Sequence, residues 1–363
     1  MTRARIGVIG AGFWAAYNYL PLFRDHPDVE LVGIVRKTTD GLEEFQREFG
    51  LEVATTSVDE LLSAGLDGVV VSSPHTLHRE HAVAALEAGV HVLVEKPMSV
   101  LLSDAVDTVE AGRRADRLVS VAHGWNYARA AVWAKDALEA GTIGTVTSVT
   151  GFMASSLTDM FSGAAGWGVL DVGGFEVEAE ADTWARADAG GGYLYGQLSH
   201  LVGLAAWLVP AEPEETFARA RYLSNGVDLD VHASVQFSDG VIGSFSGHGR
   251  QPWVIRHACE LRIAGDGGVL TLDFERDRAD VLLQGDKATG EVIRRGPEPP
   301  VVDGEGVYAC DGPPQLLVDR CLGRESVDRA PGEVGVRTVA ILESAWRSAR
   351  SGSRVPVAEL AVV

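Results

Sequence analysis

The chain is short of cysteine, of basic residues and of long apolar runs, and each shortage narrows what it can be. Its three cysteines, Cys259, Cys310 and Cys321, are widely spaced and form no C-x-x-C pair. Scattered thiols of this kind make neither a disulfide framework nor a zinc-ligand pattern, and they fit a reducing cytoplasm. Lys and Arg total 31 against 51 Asp and Glu, a net charge of −20. A general nucleic-acid binder needs a basic footprint that is missing here globally. No apolar run approaches the ~18 residues of a membrane span. Met1 to Arg5 leads into an apolar strand without an h-region or cleavage site. The expectation is a cytoplasmic protein with neither nucleic acid nor membrane as partner. The rest of the composition, 46% hydrophobic and 23% charged over 363 residues, is that of a folded protein of roughly two domains.

The first forty residues carry the first motif. Arg5-Ile-Gly-Val-Ile9 is a β-branched strand, followed by Gly10-Ala-Gly12-Phe13-Trp14-Ala15, a helical stretch, and a second strand at Val29–Val35. Strand, G-x-G-x-x-A turn, helix, strand is the order a dinucleotide-binding fold requires. Gly10 permits the tight turn, Gly12 lets backbone approach a pyrophosphate, and Ala15 keeps the helix close to the strand. Phe13 and Trp14 sit within the same turn. An acid at the end of the second strand would bind the ribose 2′-hydroxyl of NAD. This chain has Arg36-Lys37-Thr38 there, and cations attract a 2′-phosphate, so NADP is expected over NAD. Asp40 lies near enough in sequence to leave NAD open.

Further strands are read at Asp67–Pro74 and Val90–Val94, continuous apolar runs of the kind buried on both faces by helices. The first ends in Ser72-Ser73-Pro74-His75, with His78 and His81 following, and the second in Glu95-Lys96-Pro97. His75, His78 and His81 are spaced three apart. With only Glu80 as a nearby carboxylate they read as a helix start at the cofactor edge rather than as a metal cluster, and no metal is expected. Open α/β sheets bind ligands just past their strand ends, so Ser73, Pro74, His75, His78, Glu95 and Lys96 are candidate cofactor contacts. A lysine held there can bond a substrate hydroxyl and help move its proton. On its own, a Glu-Lys pair is more often a surface ion pair.

The texture changes after Gly124. Ala130 to Gly141 reads as a helix with a glycine stop. Residues 151–192 read as a long glycine-containing loop near the active site, with Trp167 and Trp184 as core residues or as a wall against the substrate. Gly192 to Leu208 reads as one apolar helix with His200 in its middle. From Thr216 to Leu283 strands alternate apolar and polar residues between turns such as Ser238-Asp-Gly240, the pattern of an antiparallel sheet with one face free. That free face is expected to join subunits of a homodimer or homotetramer. Residues 285–305 read as a surface excursion, and 332–351 as a final helix.

Taken together, Val8-Ile-Gly-Ala-Gly12, Ser73-Pro74 with His78, Leu86-Glu-Ala-Gly-Val-His-Val-Leu-Val-Glu-Lys-Pro97, Ala137-Leu-Glu-Ala-Gly-Thr-Ile-Gly144, Gly190-Gly-Gly192 with His200, and Ser344-Ala-Trp-Arg-Ser-Ala-Arg-Ser-Gly352 resemble the glucose-fructose oxidoreductase / inositol dehydrogenase / MocA (Gfo/Idh/MocA) family over nearly the whole chain. The resemblance implies an α/β Rossmann domain with a doubly wound parallel sheet (residues 1–124). A second α+β domain built on a large, mostly antiparallel sheet follows (125–363), with the 332–351 helix packing back on the first. It implies NAD(P)-dependent hydride transfer on sugars, cyclitols or related polyols. Lys96 matches the family lysine that contacts substrate and cofactor, and His200 the family's usual acid/base.

The chain departs from the family at several places. The pattern D-x-G-x-H-x-x-D puts aspartates where this chain has Gly196 and Gly203. His75 stands for the asparagine after the proline, and Tyr127, with Arg129 close by, for the arginine usually found near Asn126. Tyr193 or Tyr195 is therefore a candidate to replace the missing acid. Tyr127, Trp167, Tyr195 and Gln197 are the candidate substrate contacts. The expected function is an NADP-preferring oxidoreductase of carbohydrate-like alcohols or ketones. The alternatives are a redox-neutral nicotinamide-dependent lyase or glycosidase, and a non-catalytic binding protein of the same fold.

Overall fold

The computed structural model describes residues 3–165, 168–179, 181–285, 292–296 and 311–362. Trp167 and Cys310 lie outside the described residues, as does most of the 285–305 excursion. The first sheet is parallel and has six strands, β1 (Ala4–Ile9), β2 (Val29–Val35), β3 (Val53–Thr55), β4 (Gly68–Val71), β5 (His91–Val94) and β6 (Val119–Val121), in the order β3-β2-β1-β4-β5-β6. Neighbouring side chains on a strand point to opposite faces, so two cores form. Val70 and Leu93 enter one, while Val69, Val71, Val92 and Val94 enter the other. Helices cover both faces, which is why these strands read as unbroken apolar runs.

The second sheet has nine strands. They are β7 (Val146–Ala154), β10 (Pro213–Tyr222), β11 (Asp228–Phe237), β12 (Ile242–His248), β13 (Ala258–Gly265), β14 (Gly268–Asp273), β15 (Arg278–Gln284), β16 (Val292–Arg295) and β17 (Val355–Pro356). Their order is β16-β15-β14-β13-β7-β12-β11-β10-β17, with β7 and β12 parallel and the other pairs antiparallel. Strand β11 shows the one-sided burial, with Val231, Ala233, Val235 and Phe237 inside and His232, Ser234 and Gln236 exposed. The helix Gly332–Ser351 bridges the two cores. Val339 and Ala340 enter the first-domain core, and Ile341, Leu342 and Ala345 the second. Its Glu343 accepts the backbone N–H of Leu102 at 2.6 Å.

Two expectations are corrected. The segment 151–192 is not one long loop. It finishes β7, forms the helix Thr158–Ser162, the hairpin β8 (Val169–Val172) and β9 (Phe175–Glu178), and the helix Ala181–Trp184. Gly173 and Gly174 make the hairpin turn with φ of 58° and 97°, the two positive values a tight two-residue turn needs. The apolar helix around His200 is not uniform either. It opens with a wide π-helical turn at Leu194–Leu198 and becomes α-helical only over Ser199–Leu208.

Candidate active site

Gly10 follows β1, Arg36 follows β2, Ser73 follows β4, Lys96 follows β5 and His123 follows β6. The carboxyl ends of an open parallel sheet thus gather most of the candidate residues along one edge. Gly10 has a φ of 92°, and a Cβ there would collide with the backbone of Ser73. The two strand ends therefore approach as only glycine allows. Around Gly12 the space is open, for a Cβ there would meet nothing within 4 Å. An exposed backbone turn with free volume above it fits the pyrophosphate of a dinucleotide. Arg36 donates from Nη1 to the Ala11 carbonyl at 2.5 Å, so its guanidinium folds back over this turn. Lys37 pairs with Asp182 at 3.2 Å, both side chains largely exposed. Thr38 is exposed beside it.

Behind the turn, Glu95 is buried, with both carboxylate oxygens engaged. One accepts from Trp14 Nε1 at 2.6 Å and from the Tyr19 hydroxyl, the other from the Lys96 backbone N–H at 2.9 Å. Glu95 therefore braces Trp14 against the lysine loop, and both Glu95 and Lys96 are buried rather than on the surface. His78 is wholly buried between the carbonyls of Ser73 (2.7 Å) and Pro97 (2.9 Å), tying the β4 and β5 loops together. Burial pushes its pKa down to about 4. His81 Nδ1 lies 2.9 Å from Ser73 Oγ, and His75 Nδ1 3.3 Å from the Gly190 carbonyl. The three histidines thus address different protein oxygens. Pro74 is half-buried in the same loop.

Lys96 is buried, and its Nζ donates to the Gly196 carbonyl at 3.1 Å, 5.5 Å from the Trp184 ring centroid. Trp184 also meets His75 edge-on at 5.0 Å, so this half-buried indole roofs the lysine. His200 is buried edge-on against Trp125 at 4.7 Å. Burial first, then the charges of Lys96 and His123, hold its pKa well below the usual histidine value. His200 is consequently neutral at neutral pH, ready to accept a proton beside a cationic lysine.

The structure redistributes the other candidates. Tyr195 is buried and its hydroxyl donates to the Val100 carbonyl at 3.0 Å, while Tyr193 donates to the Met153 carbonyl at 3.0 Å. Burial raises the pKa of both phenols. Tyr127 packs on Gly312, with Arg329 5.5 Å from its ring and its hydroxyl 3.4 Å from the Arg329 backbone N–H. It supports the 311–330 segment, because its space and its polar atom are both committed there. Gln197 is half-buried on the wide turn. Sequence reasoning missed His123, Trp125 and Phe161. His123 is buried, and neither ring nitrogen has a hydrogen-bond partner among the described residues. The burial-lowered pKa of His123 is about 3. Its position two residues past an apolar strand end, matching Lys96 and Ser73, was the available signal.

Comparison with known proteins agrees with this layout. Residues 4–123 match the model of an oxidoreductase family with an NAD-binding Rossmann fold, and residues 132–271 match the GFO/IDH/MocA C-terminal domain. The chain belongs to the Gfo/Idh/MocA oxidoreductase family. One relative is a 1,5-anhydro-D-fructose reductase of Ensifer adhaerens, 30% identical over 60% of this chain and 61% of its own length. Another is a levoglucosan dehydrogenase of Pseudarthrobacter phenanthrenivorans, 26% identical over 85% of this chain and 84% of its own. The fold is shared with the WlbA dehydrogenase of Bordetella pertussis, solved with NADH and UDP-GlcNAcA (TM-score 0.73, 22% identity, 98% of each chain). Against the Gfo/Idh/MocA pattern, the two glycines that replace aspartates now have physical reasons. The Phe161 ring fills the space beside Gly196, and the His123 ring lies directly over Gly203.

Proposed function

We propose that this chain is an NADP-preferring oxidoreductase that moves a hydride between nicotinamide and a carbon of a carbohydrate-like alcohol or ketone. The observation that carries the reading is Lys96, held under Trp184 on the Gly196 carbonyl one turn before His200, whose pKa its charge lowers. Nicotinamide, when bound, supplies the hydride acceptor or donor. Lys96 donates a hydrogen bond to the substrate oxygen and stabilises negative charge developing there. Neutral His200 takes the hydroxyl proton in the oxidative direction and returns it in the reductive one. Trp184 offers an apolar wall of the kind on which sugar rings stack. The relatives named for reduction or oxidation of anhydrosugars support this substrate class.

Arg36, Lys37 and Thr38 would receive the 2′-phosphate. The Lys37–Asp182 pair is exposed on both sides and worth at most ~1 kcal/mol, so a phosphate can displace it. The free face of the second sheet, with Ile242 exposed on β12 and Trp253 and Val254 exposed beyond it, supports self-association as a homodimer or homotetramer. The free thiols Cys259 and Cys321 support a reducing, cytoplasmic setting. Among the described residues no helix is long and apolar enough to cross a membrane.

The test is a fluorescence titration with NADPH and NADH, followed by a screen of sugars and cyclitols with the wild type, Lys96→Met and His200→Asn. The expected result is tighter NADPH binding, with turnover lowered ~10²–10⁴-fold in either variant while nucleotide still binds. Intact turnover in Lys96→Met would overturn the catalytic assignment. Substrate conversion without net change in NADPH absorbance would indicate the redox-neutral chemistry instead. Binding without turnover across the screen would favour a binding protein.

A further inference from the structure

The hairpin β8–β9 belongs to the second domain by sequence, yet it is built onto the nucleotide edge of the first. Val172 and Val177 are buried in the core that contains Ile6, Val8 and Ile34. Arg47 donates to the Gly173 carbonyl at 2.9 Å. The Phe13 ring packs on Gly168, where a Cβ would come within 3.1 Å of it. At the tip of the hairpin, Phe175 lies so close to Gly41 that a Cβ there would be 2.5 Å from the ring. The same ring centroid is 5.3 Å from the Arg36 guanidinium, whose other aromatic neighbour is Phe45 at 4.5 Å.

Arg36 is thus held by two aromatic rings and the Ala11 carbonyl. An arginine side chain at a strand end ordinarily samples many rotamers, and fixing it removes an ordering cost from any anion that later binds. Ala11 and Phe45 belong to the Rossmann domain, and Phe175 to the inserted hairpin.

Building on the NADP reading above, we infer that Phe175 is a positioning residue for cofactor choice. It fixes Arg36 where a 2′-phosphate is met, so discrimination between NADPH and NADH depends on the second domain. Phe175 acts through Arg36 and touches no reacting atom. The prolonged contact of the hairpin with Phe13 and the helix Leu42–Phe49 is what carries this effect from one domain to the other.

The full chain is titrated with NADPH and with NADH, by fluorescence, as wild type, Phe175→Ala and Phe175→Leu, with melting temperatures in parallel. Leucine keeps apolar bulk against Gly41 and removes only the aromatic face, so it tests the proposal even if alanine loosens the hairpin. The expected result is about tenfold weaker NADPH binding in both variants, with NADH binding unchanged within about twofold. An equal loss for both nucleotides, or no loss for either, overturns the inference and leaves the oxidoreductase reading intact. A wild type that prefers NADH overturns the NADP preference on which the inference rests, and the inference with it. A wild type that binds neither nucleotide overturns the reading itself, and the inference with it.

Discussion

The Phe161 ring occupies the space that a side chain at Gly196 would need: a Cβ there would lie 2.8 Å from Phe161 Cε1. The two residues are a matched pair. Where the family pattern would place an aspartate, this chain has a ring from the helix Thr158–Ser162, and Lys96 donates to the Gly196 backbone carbonyl. The charge of Lys96 contributes to the lowered pKa of His200.

Restoring the family residue alone should then do harm. Gly196→Asp is expected to destabilise the protein by ~1–3 kcal/mol through overpacking and to lower turnover. Combining it with Phe161→Ala should recover part of the stability, because the ring causes the clash. Denaturant midpoints of the two single variants and the double variant check this. Strict additivity would show that Phe161 and Gly196 are not coupled.

The charge of Lys96 predicts a change in His200. Lys96 is the second-largest cause, after burial, of the lowered His200 pKa. In Lys96→Met that contribution disappears, so the His200 pKa should rise toward the ordinary histidine value. The ring proton of His200, followed by NMR from pH 7 down to pH 4, reads this directly. An unshifted titration would mean that the two groups do not sense each other.

How much of this was legible in sequence follows from where the physics is local. The turn after β1, the strands β1, β2, β4 and β5 and the Glu95-Lys96 loop follow from short-range pattern, and they stand where the pattern put them, whereas the three-residue strands β3 and β6 were not read. The hairpin was also written locally, as Val172-Gly-Gly-Phe175, but the glycines around it made the segment read as a loop. The fates of Tyr127, Tyr193 and Tyr195 were not legible, since each hydroxyl is satisfied by backbone distant in sequence, at Arg329, Met153 and Val100. Nor was the crowding of Gly196 and Gly203, which depends on rings from two other elements.

Acid should unfold the protein through its buried histidines. His75, His78, His123 and His200 all have pKa values lowered by burial, to about 4 for His78 and about 3 for His123. Each contributes stability that is present above the unfolded value near 6.5 and lost as pH falls below it. Asp228 and Asp328 act oppositely, since burial raises both to about 6 and their contribution is lost as pH rises. The buried histidines take up protons on unfolding as pH falls through the range below 6.5, so stability should fall with it. Urea unfolding at pH 7, 6 and 5 measures it, and a flat profile would contradict the neutral burial of these rings.

Glu95 offers a test of how the nucleotide turn is held. Its oxygens accept from Trp14 and Tyr19 on one side and from the Lys96 N–H on the other. In Glu95→Gln the amide can face its oxygen to only one of those sides. If the NH2 group faces Trp14, it meets an indole that can only donate. If it faces Lys96, it meets a backbone N–H with the same limitation. Either way one buried donor is left unpaired, at a cost of ~1–3 kcal/mol. Because Trp14 lies two residues after Gly12, and Lys96 reaches Gly196, the loosened brace should weaken nucleotide binding and turnover together. Denaturation and NADPH titration of the same variant separate the outcomes. Lost stability with intact binding would confine Glu95 to the core, whereas no change in either would mean that these hydrogen bonds do not hold the turn.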